Sequence, residues 1–200
     1  MFIGVDFDNT IVCCDQLFYE AAAEKKLIPS TVSITKGKVR DYLRQAGKED
    51  AWTELQGYVY GVLIQKAAPF SGVLDFFKQC KKRQINVCII SHKTRYPFLG
   101  EKHDLHKAAI SWLEKNGFYN LLSRDRVYLE LTKQAKLDRI SQLECSHFID
   151  DLPEFLLEPK FPSGVQKMLF DPNGYQTNDN HYQRAGSWKE IEQQLIGVRV

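Results

Sequence analysis

The chain has 200 residues, 44% of them apolar and 12% aromatic, with 27 Lys and Arg against 25 Asp and Glu and a formal net charge of +2. That length suits one domain, or one domain carrying a modest insert, with enough apolar material for a real core. The balanced charge announces no basic surface for nucleic acid or for a membrane, and no run approaches the length of a membrane span, so neither partner is expected.

In chain order, five short apolar runs read as strands: FIGVD (2–6), INVCIIS (85–91), RVYLEL (126–131), HFID (147–150) and QKMLF (166–170). Their hydrophobicity is continuous rather than alternating, which predicts strands covered on both faces, as in a parallel sheet. Helical patterns fall between them at 72–83, 105–117 and 136–143, and Gly117 stands where a left-handed C-cap residue belongs. A last helix follows SWKE, in which Ser187 and Glu190 have capping-box spacing. The alternation predicts an α/β fold of Rossmann-like, three-layer form, with a five-stranded parallel sheet and right-handed crossovers.

Residues 13–68 are too long for a simple crossover and read as helical throughout, with IPST (28–31) as a break. A small helical subdomain inserted after the first strand is expected there, so that 1–12 and 69–200 form the core and 13–68 the insert. The polar stretch 171–186 reads as a surface loop, with Asp171 ending the fifth strand and holding the turn. The basic clusters KGKVR (36–40) and KQCKKR (78–83) lie in helical patterns and read as solvated faces. Five cysteines, odd in number and without a CxxC pair, read as reduced, buried thiols; together with the lack of a recognisable targeting segment they make a cytoplasmic location the expectation.

The opening strand ends in two acids, Asp6 and Asp8, at a place where an unpartnered buried charge is costly. In open parallel sheets ligands bind beyond the carboxyl ends of the strands, and each strand here ends in polar residues. After the first come Asp6, Asp8 and Thr10; after the second Ser91, His92 and Lys93; after the third Lys133 and Lys136; after the fourth Asp150, Asp151 and Glu154. Crowded carboxylates repel one another, and a divalent cation removes the difficulty. Oxygen ligands with room for water and a phosphate favour Mg²⁺. One carboxylate can then attack phosphorus, and a second, two residues on, can protonate the leaving oxygen and later activate water.

DFDNT (6–10) after a hydrophobic strand resembles the DxDx[TV] signature of the haloacid dehalogenase-like (HAD) hydrolase superfamily. The strand ending in Ser91, the lysine at Lys136 and the strand ending in Asp150 and Asp151 follow in that superfamily's order. The resemblance covers the whole chain, and the insert falls where a C1-type cap does. It implies Asp6 as nucleophile, forming an aspartyl-phosphate, and Asp8 as general acid/base whose backbone carbonyl also reaches the metal. It implies Thr10 steadying the loop, Ser91 binding the substrate phosphate, and Lys136 stabilising that charge and the nucleophile. Mg²⁺ would be held by Asp6, Asp8, Asp150 and Asp151. Lys133 stands as the alternative to Lys136, and Glu154 as the alternative to Asp151. His92, next to Ser91, and Arg95 are further substrate contacts to consider, whereas Trp52, Tyr58 and Tyr60 read as packing residues.

Members that cleave carbon–halogen or carbon–phosphorus bonds lack the second aspartate, so Asp8 points to phosphate esters. The function this implies is hydrolysis of a small phosphorylated metabolite, of the sugar phosphate or nucleotide class. A phosphomutase or phosphotransferase, and a catalytically silent binding module, are the alternatives. His103 and His106 have a spacing that puts both on one helical face, but no cysteine or third histidine accompanies them in a zinc pattern. The sequence is silent on oligomeric state.

Overall fold

The computed structural model describes residues 1–177 and 179–197. The first elements in chain order are β1 (Phe2–Val5), β2 (Val12–Cys13), α1 (Asp15–Glu24), α2 (Lys36–Gln45), α3 (Glu49–Gly61) and β3 (Ala68–Pro69). Then come α4 (Val73–Lys82), β4 (Asn86–His92), α5 (Leu105–Lys115), β5 (Val127–Glu130) and α6 (Lys133–Gln142). The chain closes with β6 (His147–Asp150), α7 (Pro153–Leu156), β7 (Gln166–Phe170), β8 (Gln183–Ala185) and α8 (Trp188–Leu195). No helix among the described residues is long and apolar enough to cross a membrane.

The chain divides into two compact units. The first comprises Met1–Val12, Pro69–His92 and the chain from Gly117 onward, and carries a six-stranded parallel sheet in the order β5-β4-β1-β6-β7-β8. All five expected strands are present, each with ends within one residue of its apolar run. The sixth, β8, is a correction: it lies in the polar stretch read as a loop. Its Gln183 and Arg184 are exposed and only Ala185 is buried, so an edge strand of three residues leaves almost no hydrophobic signal. Asp171 does hold the preceding turn, accepting from the backbone N–H of Tyr175 (3.1 Å) and Gln176 (2.9 Å) and from Arg184 (3.2 Å).

β1 is central, paired with β4 on one side and β6 on the other. Its third residue, Gly4, lies opposite both Cys88 and Phe148. A Cβ there would stand 2.6 Å from the Phe148 ring and 3.2 Å from Cys145 Sγ, so glycine is what lets the ring lie over the strand. That ring belongs to a cluster with Phe155, Phe161, Leu137, Ile140 and Leu169. Gly4→Ala is therefore expected to lower stability by about 1–3 kcal/mol through overpacking, read as a fall in melting temperature; an unchanged value would mean that Phe148 moves aside freely. A second aromatic group, Phe76, Phe170 and the fully buried Trp188, packs α4 and α8 together with β7. The expected helix signals are realised in this unit: Gly117 has a φ of 77°, and the Ser187 side chain accepts from Glu190 N at 3.2 Å.

The second unit comprises Cys13–Ala68 and Lys93–Asn116. The first of these segments is the helical insert expected from the sequence. Residues 93–116, by contrast, which the sequence reading assigns to the core, group with those helices. Helix α5 packs against α3 and against the 3₁₀ turn at 63–66. Trp112 Nε1 donates to the Ala67 carbonyl at 2.9 Å, and Gln65 Nε2 to the Ala108 carbonyl at 2.9 Å. Periodicity shows that 105–115 is an amphipathic helix without showing which surface its apolar stripe meets. Where the chain passes out of and back into the sheet-bearing unit, β2 and β3 pair as a short two-stranded ribbon.

Candidate active site

Strand register assembles the acids. Val5 of β1 is aligned with Ile149 of β6, so the next residues, Asp6 and Asp150, stand side by side at the carboxyl edge. Asp6 N donates to the Ile149 carbonyl at 2.9 Å, extending the ladder by one bond and fixing the Asp6 backbone. The chain then reverses: Ile11 N and Val12 N both donate to the Phe7 carbonyl (3.0 and 3.1 Å), and Asn9 N to the Val12 carbonyl at 3.0 Å. Asn9 takes a left-handed φ of 61°, a conformation Asn tolerates better than other side chains that carry a Cβ. Asp8 lies half-buried on this turn. Thr10 is fully buried, its hydroxyl donating to Asp151 Oδ1 at 3.4 Å and its carbonyl accepting from Trp188 Nε1 at 3.1 Å.

The structure separates the two lysines. Thr132 caps α6, its hydroxyl accepting from Ala135 N at 3.0 Å, and Lys136 on the first turn points inward. Its Nζ lies 2.6 Å from Asp6 Oδ1 and 2.7 Å from Asp150 Oδ2, with all three side chains almost wholly buried. Lys133 is half exposed and pairs with Glu158. The Lys136 ammonium also sits 4.0 Å from the Phe155 ring centroid and 5.3 Å from that of Phe148, an aromatic floor that favours the charged form.

Burial alone presses Lys136 toward the neutral amine, but the Asp150 and Asp6 carboxylates outweigh it and hold the ammonium above its ordinary range. Two carboxylates share that one cation, and the site carries a net negative charge. Burial, with Asp6 adding to it, pushes Asp150 up to about 6 against the pull of Lys136. A bound divalent cation would supply the positive charge that the site lacks.

Asp150 Oδ1 accepts from Leu152 N at 2.9 Å, which orients the carboxylate, and Asp151 lies next to it. Asp6, Asp150 and Asp151 each offer an oxygen, and these atoms all lie within 4.8 Å of one another. Three hard, anionic oxygens on one edge, one of them on the half-exposed Asp151, fit a Mg²⁺-type ion that keeps water in its shell. The Asp8 carboxylate stands outside this trio. Glu154 is exposed in the first turn of α7. Of the two histidines read onto one helical face, only His106 lies in α5, with Nε2 2.7 Å from the Lys93 carbonyl oxygen; His103 precedes the helix and lies 3.4 Å from Glu101. All five cysteines are free thiols.

Ser91 is buried near the end of β4, two residues past the partner of Val5. His92 ends that strand, and desolvation, followed by the Lys136 ammonium, holds its imidazole below the usual value. Two contributors carry no sequence signal at the motif. Trp188 fixes the Thr10 carbonyl from 178 positions away, and the Phe148 and Phe155 rings support Lys136. Only the fold reveals them.

A parallel sheet of this order with a helical insertion after its first strand is the fold seen in solved structures of haloacid dehalogenase-like hydrolases. The chain matches the HAD-hydrolase YfnB from Bacillus subtilis, whose crystal form is bound to magnesium, with a TM-score of 0.60 at 12% identity over 97% of each chain. A haloacid dehalogenase-like family protein from Streptococcus pneumoniae matches with a TM-score of 0.65 at 13% identity over 96% of each chain. A family IA HAD hydrolase from Entamoeba histolytica matches at 0.62 and 11% identity, over 98% of this chain and 97% of that one. At these identities the likeness is one of fold. No family model matches the chain, and no curated protein matches it.

Proposed function

We propose that the protein is a Mg²⁺-dependent phosphatase that hydrolyses small-molecule phosphate monoesters through a phosphoryl group carried on Asp6. The observation that carries this reading is the buried ammonium of Lys136, 2.6 Å from Asp6 and 2.7 Å from Asp150, with Asp151 completing an acidic trio on the same edge. Magnesium, bound in the structurally similar YfnB, would draw the phosphate and the Asp6 carboxylate together by neutralising charge on both. Asp6, Asp150 and Asp151 would hold it, with the Asp8 backbone carbonyl.

The chain's own residues then divide the work. An Asp6 oxygen attacks phosphorus, and the bond from phosphorus to the ester oxygen breaks. Asp8, in its acid form, gives its proton to that departing oxygen. As a carboxylate it then takes a proton from water, whose oxygen attacks phosphorus and frees Asp6. Lys136, Ser91 and His92 would orient the transferring group and its charge, while Thr10 would steady the loop beneath it. Selection among sugar phosphates, nucleotides and related metabolites falls, in this reading, to the inserted helical unit.

A phosphate-release screen over a panel of phosphorylated metabolites tests the reading. The expected result is release that requires Mg²⁺, stops with chelator and needs no acceptor alcohol. Transfer to a sugar hydroxyl without free phosphate would make the protein a phosphotransferase. Absence of turnover on every ester would leave the fold without this chemistry.

A further inference from the structure

Within the helical unit, residues 93–104 run from the end of β4 to α5 and lie directly on α3. Two glycines one turn apart make that approach possible. A Cβ at Gly57 would stand 2.6 Å from Pro97 Cβ, and one at Gly61 would stand 2.5 Å from His103 Cβ. Gly100, at a φ of +83°, then turns the chain past Glu54. The result is a groove of about 450 Å³ lined by none of the residues of the acidic site; every residue lining it belongs to the helical unit. Its size is that of a small-molecule site, and beside it the Pro97 and His103 side chains lie directly on the Gly57 and Gly61 backbone.

The lining indicates the chemistry of an occupant. Leu27 and Leu99 supply apolar surface, and Glu54 and Glu101 supply carboxylates. The Tyr58 ring in the same lining already presents its face to a cation, the Lys25 ammonium 5.0 Å from the ring centroid. Lys25 is exposed and long, so its ammonium can swing into water when another cation takes its place. Two carboxylates disfavour an anion at the same position.

We propose that this groove binds a small organic amine. The ligand's ammonium replaces that of Lys25 over Tyr58 and pairs with Glu54, while its apolar body rests on Leu27 and Leu99. An aromatic face combined with a carboxylate is a recurrent way of recognising such cations. This proposal does not depend on the phosphatase reading, because its test measures binding alone.

Titration calorimetry of the full chain with benzylamine and phenethylamine provides that test, with phenethyl alcohol as the neutral isostere. Saturable binding of at least one amine is expected, and the alcohol should bind at least about tenfold more weakly. Tyr58→Leu and Glu54→Gln should each weaken amine binding about tenfold. Lys25→Met removes the competing ammonium and should strengthen it several-fold, a change that damage to the fold would not produce. Failure of both amines to saturate, equal binding of the alcohol, or no gain in Lys25→Met would each overturn the proposal.

Discussion

Replacing Lys136 with methionine is expected to destabilise the metal-free protein by about 3–5 kcal/mol, the range for breaking a buried ion pair from one side. For a chain of this size that corresponds to a fall in melting temperature of roughly 6–20 °C. Methionine fills much of the lysine's space, so the loss is electrostatic: Asp6 and Asp150 are left facing each other, nearly buried, without their shared cation. Two further measurements separate this from simple misfolding. Adding Asp150→Asn to Lys136→Met should recover part of the lost stability, because only one buried charge then remains. Millimolar Mg²⁺ should raise the melting temperature of Lys136→Met more than that of the parent, because a cation in the acidic trio takes over the lost compensation. A Lys136→Met protein as stable as the parent in chelator would mean that the two carboxylates are not held as charges by this lysine.

The second large effect is on turnover. Asp6→Asn should reduce phosphate release by roughly 10⁴-fold or more, in the range seen when a covalent nucleophile is removed. Its cost in stability should be small by comparison. The amide keeps the shape of the carboxylate, and the Lys136 ammonium retains Asp150 at 2.7 Å. Circular dichroism and the melting curve check that the fold survives, and Mg²⁺ titration checks that the variant has lost one of its oxygen donors. A variant that folds and turns over at the parent's rate would remove Asp6 from the chemistry.

Much of this arrangement is legible in the sequence because it rests on strand ends. A continuous apolar run that stops at a carboxylate announces both a buried parallel strand and the edge to which its last residue belongs. Two such runs, with a third that stops at a serine, therefore place Asp6, Asp150 and Ser91 on one edge before the fold is known. Register completes the argument, since Val5 opposite Ile149 leaves Asp6 beside Asp150.

What the sequence leaves open has equally physical reasons. Lys133 and Lys136 lie within one helical turn, so periodicity cannot choose between them. The choice depends on Thr132 starting the helix and on Glu158, from beyond α7, engaging the outer lysine. The edge strand β8 is hidden because one buried alanine between polar residues has no pattern to detect. Residues 93–116 read as a core crossover because they follow a core strand, and their attachment to α3 depends on Gly57 and Gly61, whose role appears only when Pro97 and His103 are seen lying on them.

The central claim is that Asp6 carries the phosphoryl group during turnover. Acid quenching during turnover with Mg²⁺ and the best substrate of the release screen, followed by peptide mass spectrometry, tests it most directly. The account predicts a phosphoryl adduct on the peptide containing Asp6 that forms within the first turnover, decays when substrate is exhausted, and is absent from Asp6→Asn. Steady phosphate release with no adduct on that peptide, undiminished in Asp6→Asn, would contradict it.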